Sequence, residues 1–230
     1  MTYLSPNQLK QYEDEGFVSP LDVFSKEKSK EIRDEIELIE KQMPHELEKD
    51  GRYNAHLISP LLDWVTHHPS ILNTVESLIG KNILVCGTTL FIKNPNIKGF
   101  VSYHQDAKYI GLEPHNWVTA WVAITDSNEN NGCMRMWSGS HKENLKDHDQ
   151  MFNEGNLLTR GQTVNDVPKS ETTPLILKAG QMSLHHPKVV HGSDLNKSND
   201  RRRGFVIQSY IGTNVKQVLG KNGVQLARGV

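Results

Sequence analysis

The sequence predicts a mainly β protein with flanking α-helices, its strands antiparallel and arranged as a sandwich or barrel. Three observations carry this reading. Helical periodicity is confined to the first third of the chain. After Gly80 the texture changes to short runs of β-branched and aromatic residues. Those runs are separated by clusters of Gly, Asn, Pro and Asp with no helical pattern between them, which disfavours a doubly wound parallel sheet. The 230 residues fit one domain over 1–230, with a helical part over about 1–80 and a β barrel over about 81–215.

The elements follow in order. Ser5 before Pro6 reads as an N-cap with proline in the first turn, and the helix runs through Leu9 and Tyr12 to stop near Gly16. Ser25 caps a longer helix in which Ile32, Ile36 and Ile39 mark one buried face, the other face being Lys and Glu. A third helix starts near Pro69, carries Ile71, Leu72, Val75, Leu78 and Ile79, and ends at Gly80. Strands are expected over Ile83–Lys93, Phe100–His104, Val118–Thr125, Cys133–Trp137, Pro174–Leu177, Gln181–Leu184, Val189–His191 and Gly204–Ile211. The polar segment Ser138–Thr172 lacks periodicity, and a loop of that length is expected to act as a lid; it and the helical third are expected to border the pocket mouth.

Composition narrows the function. Lys+Arg number 26 against 27 Asp+Glu, a net charge of −1, which argues against a general nucleic-acid binder. Apolar stretches such as Ile83–Val85 fall far short of the roughly 18 residues that span a bilayer. The N-terminus has no basic region followed by an apolar core, so no secretory signal is expected. With Cys86 and Cys133 alone there is no disulfide framework; a reducing, cytoplasmic location is expected. Histidine is the one abundant chemical type, at eleven residues.

In Tyr103-His104-Gln105-Asp106, extended backbone would set His104 and Asp106 side by side on one face. His191, in Val189-Val190-His191-Gly192-Ser193, lies on another expected strand. Two imidazoles and one carboxylate meeting across such strands form the facial triad that suits non-haem Fe(II) and leaves open coordination positions. Beyond His191 come Arg201, Arg202 and Arg203. One of them, buried, would pair bidentately with a dicarboxylate, while a solvated basic run is expected for the other two.

These motifs extend along the chain. His104-Gln105-Asp106, Ala120-Trp121-Val122-Ala123, Asn130-Asn131-Gly132-Cys133-Met134, Ser138-Gly139-Ser140-His141, Ala179-Gly180, His191-Gly192-Ser193, Asn196-Lys197-Ser198 and Arg202, with the opening Gln8, Tyr12 and Gly16-Phe17, together resemble the phytanoyl-CoA dioxygenase family of Fe(II)/2-oxoglutarate oxygenases. The resemblance implies a double-stranded β-helix, a cupin-like jelly-roll barrel. It implies His104, Asp106 and His191 as catalytic iron ligands. It implies that Arg202 holds the far carboxylate of 2-oxoglutarate, that Ser193 adds a hydrogen bond, and that Trp121 packs on the cosubstrate, although Trp121 also reads as plain core. Strand alternation puts Arg202 on one face with Gly204, Val206, Gln208 and Tyr210, and Arg201 and Arg203 on the other. Gly204 is expected to leave room for the dicarboxylate. Lys93 and Gln208 are expected to contact substrate. Asn131 and Gly132 read as a turn, Cys133 as core, His115 as a loop residue, and His185 and His186 as lying out of the ligand register.

The implied reaction is hydroxylation or oxidative demethylation of a small-molecule substrate with O2, yielding succinate and CO2, with ascorbate stimulatory. The alternative is a non-catalytic or non-redox metal-binding barrel of the same fold, which would have no use for Arg202. Neither nucleic acid nor membrane is an expected partner, and oligomeric state is not legible. By comparison with the family, the segment ending Leu226-Ala227-Arg228-Gly229-Val230 is expected to continue.

Overall fold

A computed structural model describes residues 3–44, 52–96, 98–152, 154–158, 160–220 and 223–230. Helix α1 (Pro6–Glu15) opens with a full capping box, Ser5 against Gln8, and closes on Gly16, whose φ of 85° is the left-handed conformation glycine adopts without strain. Strand β1 (Phe17–Asp22) follows at once. This corrects the purely helical reading of the first third; Phe17, Val18 and Leu21 are its buried positions, and Pro20 is tolerated because β1 is an edge strand. Next come α2 (Lys26–Gln42), α3 (Pro60–Thr66, capped by Ser59) and α4 (Pro69–Ile79).

The expected strand over Ile83–Lys93 is two strands, β2 (Ile83–Val85) and β3 (Thr88–Lys93). Then come β4 (Val101–His104), the short helix α5 (Ala107–Ile110), β5 (Leu112–Glu113), β6 (Trp117–Ala123) and β7 (Met134–Trp137). The polar segment contains a two-residue ladder, β8 (Asp149–Gln150) with β9 (Gln162–Thr163). The chain ends with β10 (Thr172–Pro174), β11 (Gln181–His185), β12 (His191–Ser193), β13 (Arg202–Gly212), β14 (Lys216–Gln217) and β15 (Gln225–Arg228).

The larger sheet runs β1-β11-β6-β13-β2-β15, with β3 also on β13; the smaller runs β10-β7-β12-β4. All their pairings are antiparallel. The expected mainly β architecture with flanking helices is therefore present. One core lies between α2–α4 and the outer face of the larger sheet, joining Ile32, Ile36, Leu62, Val65 and Ile71 to Val118, Ala120, Val122, Phe205 and Ile207. A second lies between the sheets, where Trp121 and Val206 meet Met134, Met136 and Leu177. With both faces covered, every residue of β6 is buried.

This layering narrows the helical third's part in the pocket border: α2–α4 back the larger sheet, and among the described residues of that third Arg52 and Tyr53 reach the central cavity. The polar loop does border it, through Leu157, Leu158, Arg160 and Gln162. Among the described residues, no helix is long and apolar enough to cross a membrane.

Candidate active site

His104 and His191 are directly opposite each other on neighbouring strands β4 and β12. Their rings lie 4.2 Å apart, centroid to centroid. Each Nδ1 sits on a backbone carbonyl two residues back, Ser102 O at 2.9 Å and Val189 O at 3.1 Å. A carbonyl can only accept, so Nδ1 carries the proton and Nε2 is left as the lone pair facing inward.

Asp106 corrects the extended-strand reading. β4 ends at His104, and Asp106 has helical backbone (φ −57°, ψ −39°) at the start of α5. The turn still brings its Oδ1 to 3.5 Å from His104 Nε2 and 4.0 Å from His191 Nε2. One ligand atom from each of the three residues lies within 4.8 Å of the others, a cluster that could hold a metal ion. Burial opposes ionisation of Asp106, but His104 and His185 beside it hold its carboxyl well below the usual carboxylate range. Burial, and then His104, push the His191 imidazole down to about 3, so at neutral pH it offers the uncharged form that a metal needs.

The cavity over the triad has a volume of about 660 Å³. Arg202, Ser193, Trp121 and Gln208 all line it. Arg202 is 2% exposed, as strand alternation predicts, whereas Arg201 and Arg203 face α2 and pair with Glu40 at 2.7 Å and Glu37 at 3.0 Å. The Arg202 guanidinium stacks 5.2 Å from the Trp121 ring and 6.0 Å from Phe91. Its Nε has no hydrogen-bond partner, and no carboxylate pairs with it among the described residues. Burial lowers its pKa only to about 10, so it stays charged at neutral pH. A buried, unpaired cation is costly, so this pocket fits an incoming carboxylate.

Two expectations change here. Lys93 is buried and does not line the cavity: its ammonium donates to Gly132 O, to Ser193 Oγ at 2.7 Å and to Asp194 O. It buttresses Ser193 from behind, which corrects the expected substrate contact. The space beside Gly204 is taken by Trp121; a Cβ there would meet Trp121 Cζ2 at 2.3 Å.

The profile of the phytanoyl-CoA dioxygenase (PhyH) family matches residues 12–204. The chain belongs to that family. It is 28% identical to mouse peroxisomal phytanoyl-CoA dioxygenase over 96% of this chain and 72% of the relative. The matches to the bovine, human and rat proteins cover 42% of their length. A probable alpha-ketoglutarate-dependent hypophosphite dioxygenase of Stutzerimonas stutzeri is 24% identical over 93% of this chain and 80% of its own. Among solved structures, the non-heme monooxygenase ThoJ in its apo form superposes with a TM-score of 0.86 at 28% identity, covering 96% of this chain and 83% of that one. The double-stranded β-helix fold and dioxygenase class of the PhyH family thus apply to this chain.

Within this PhyH site, the residue that sequence reasoning set aside is His185. It is 1% exposed, lines the cavity, and stacks 4.7 Å from the His191 ring. Its Nε2 lies 3.5 Å from Asp106 Oδ2, and neither ring nitrogen has a hydrogen-bond partner. The signal was available in register: His185 pairs across the ladder with Thr119, whose hydroxyl lies 2.9 Å from the same Asp106 oxygen.

Proposed function

We propose that this PhyH-family protein is an Fe(II)- and 2-oxoglutarate-dependent dioxygenase that hydroxylates, or oxidatively demethylates, a small organic molecule and releases succinate and CO2. The observation that carries the reading is the pairing, in one cavity, of the His-Asp-His cluster with a buried arginine that has no carboxylate partner among the described residues. His104 and His191 would hold the metal through Nε2 and Asp106 through Oδ1. Bound Fe(II) would supply the O2 chemistry that side chains alone do not provide. Arg202 would take the far carboxylate of 2-oxoglutarate in its fork, with Ser193 as a further hydrogen-bonding group and Trp121 fixing the guanidinium plane. Apolar side chains of Phe91, Val101, Met134 and Val206 in the same cavity would limit water around that pair and strengthen it. Location in the cytoplasm and stimulation by ascorbate belong to the same proposal. A non-redox metal barrel is disfavoured because it leaves Arg202 unpaired.

Binding of 2-oxoglutarate to the Fe(II)-loaded protein under anaerobic conditions tests the assignment. Losing one side of a buried charge pair costs about 2–5 kcal/mol. Arg202→Ala should therefore weaken binding by roughly 30-fold or more. Arg201→Ala and Arg203→Ala should change it little, because those side chains pair with α2. Aerobic succinate release from 2-oxoglutarate with Fe(II) and ascorbate should disappear in His104→Ala and His191→Ala. Undiminished affinity in Arg202→Ala, or succinate release that survives loss of either histidine, would refute the assignment.

A further inference from the structure

The eight arginines fall into two sets. Arg33, Arg135, Arg201, Arg203 and Arg228 each pair with a carboxylate, and none of these five lines the cavity. Arg52, Arg160 and Arg202 have no carboxylate partner among the described residues, and all three line it. Among the described residues, the one acidic side chain on the cavity wall, Asp106, belongs to the metal cluster. The arginines without a carboxylate partner among the described residues therefore line a single cavity from three separate elements: the segment before α3, the long polar loop, and β13.

Arg202 is accounted for by the cosubstrate. Arg52 and Arg160 are not. Arg52 stacks on the Tyr53 ring at 4.9 Å and donates one bond to the Tyr53 hydroxyl at 2.8 Å, while its Nε is buried without a partner. Arg160 donates one bond to Tyr109 O at 3.0 Å. Among the described residues each guanidinium thus makes a single hydrogen bond, beside a tyrosine, Arg52 half-buried and Arg160 exposed at the cavity rim, and each keeps further donors free for a ligand. Ile110, Tyr109, Leu157 and Leu158 add apolar wall to the same cavity. The volume is in the range of sites for drug-sized ligands.

We propose that the substrate is an organic anion, its carboxylate or phosphate paired with Arg52 and Arg160 and its apolar body against Tyr109, Leu157 and Leu158. The proposal rests on the oxygenase reading for the identity of the ligand as substrate. Charge selects the class: a neutral or cationic molecule of the same shape would desolvate both guanidiniums without pairing them. Size selects within it, because a bare inorganic anion leaves the apolar wall wet.

Calorimetric titration of the full chain tests this, anaerobically and with Fe(II) and saturating 2-oxoglutarate so that Arg202 is occupied. The probes are 4-phenylbutyrate, phenyl phosphate, 4-phenylbutanol, 4-phenylbutylamine and inorganic phosphate. One or both organic anions should bind at least about tenfold tighter than the alcohol, the amine and inorganic phosphate. The tighter of the two tells carboxylate from phosphate recognition. Arg52→Gln/Arg160→Gln should lose that advantage while keeping its melting temperature and its affinity for 2-oxoglutarate. The proposal is overturned if the alcohol or amine matches the anions, if inorganic phosphate does so, if the double variant binds anions as before, or if no organic anion binds. If 2-oxoglutarate itself fails to bind, the oxygenase reading falls, while the contrast between wild type and double variant still reports on the anion site.

Discussion

At the scale of the residue, Asp106 shows how one carboxylate is divided between two tasks. Its Oδ1 faces the two ligand histidines and its Oδ2 faces Thr119 and His185. The Thr119 hydroxyl has one hydrogen and two acceptors in reach, Gln208 O at 2.7 Å and Asp106 Oδ2 at 2.9 Å. With that hydrogen on the Gln208 carbonyl, the group facing Oδ2 is His185, whose Nε2 lies 3.5 Å away, an electrostatic contact and not a hydrogen bond. Groups of this kind orient a ligand, and their removal typically costs about 10–100-fold in metal affinity. Burying an imidazole with neither nitrogen bonded also costs stability, on the order of 1–3 kcal/mol per unsatisfied group. The two effects oppose each other, so His185→Leu is predicted to leave the metal-free protein as stable as wild type or more so, and to weaken Co(II) binding at least about tenfold. Thermal unfolding in chelator and a Co(II) titration read the two effects separately. Unchanged Co(II) affinity would remove His185 from any positioning role.

At the scale of the element, β13 carries the site and the core on opposite faces. Arg202, Val206 and Gln208 look into the cavity, while Phe205 and Ile207 pack toward the helices. The register then shifts between Ile207 and Tyr210. The bulge turns Tyr210 to the helical side, where its hydroxyl donates to Thr66 O at 2.7 Å, against the simple alternation that put it beside Gln208. Gly204 sits where the Trp121 ring crosses the strand. Gly204→Ala must displace that ring, and with it the surface on which Arg202 stacks. Overpacking of this sort costs about 1–3 kcal/mol, so the variant is predicted to lose that much stability in urea and to bind 2-oxoglutarate more weakly. A variant with wild-type values for both would show that Trp121 does not support the arginine.

At the scale of the whole molecule, buried histidines tie stability to pH. Burial is the main cause that pushes His186 and His191 each down to about 3, neighbouring His141 and His104 adding to it respectively. Unfolded, each titrates near 6.5. Between those values the unfolded chain holds more protons than the folded one, so stability rises with pH in this window and is lost as pH falls from about 6.5 toward 3. The depressed Asp106 adds a change of the same sign at lower pH. Each such proton is worth about 1.4 kcal/mol per pH unit. Chemical denaturation of the metal-free protein at pH 7, 6 and 5 should show stability falling by roughly 3 kcal/mol per unit once pH is well below 6.5. A flat profile would mean that these imidazoles are not held neutral.

The sequence by itself determined the local features: the capped helices, the antiparallel runs, the candidate triad by residue type, and, by strand alternation, that Arg202 faces opposite to Arg201 and Arg203, the choice among the three being what the family resemblance implies. These are legible because caps and periodicities involve neighbours in the chain. The β1 edge strand was also written there, in the buried positions of Phe17, Val18 and Leu21, but its shortness and its proline hid it between two helices. Only the tertiary structure decided the rest. Asp106 reaches His104 through a helical turn, not along a strand. Lys93 braces Ser193 from behind, Trp121 fills the space at Gly204, and His185 joins Thr119 on the far oxygen of Asp106. Arg52 and Arg160 come from segments far apart in sequence to line one cavity. Which side chains share a cavity depends on ladder register, bulges and the course of loops, and those are settled by packing among distant residues that no local pattern encodes.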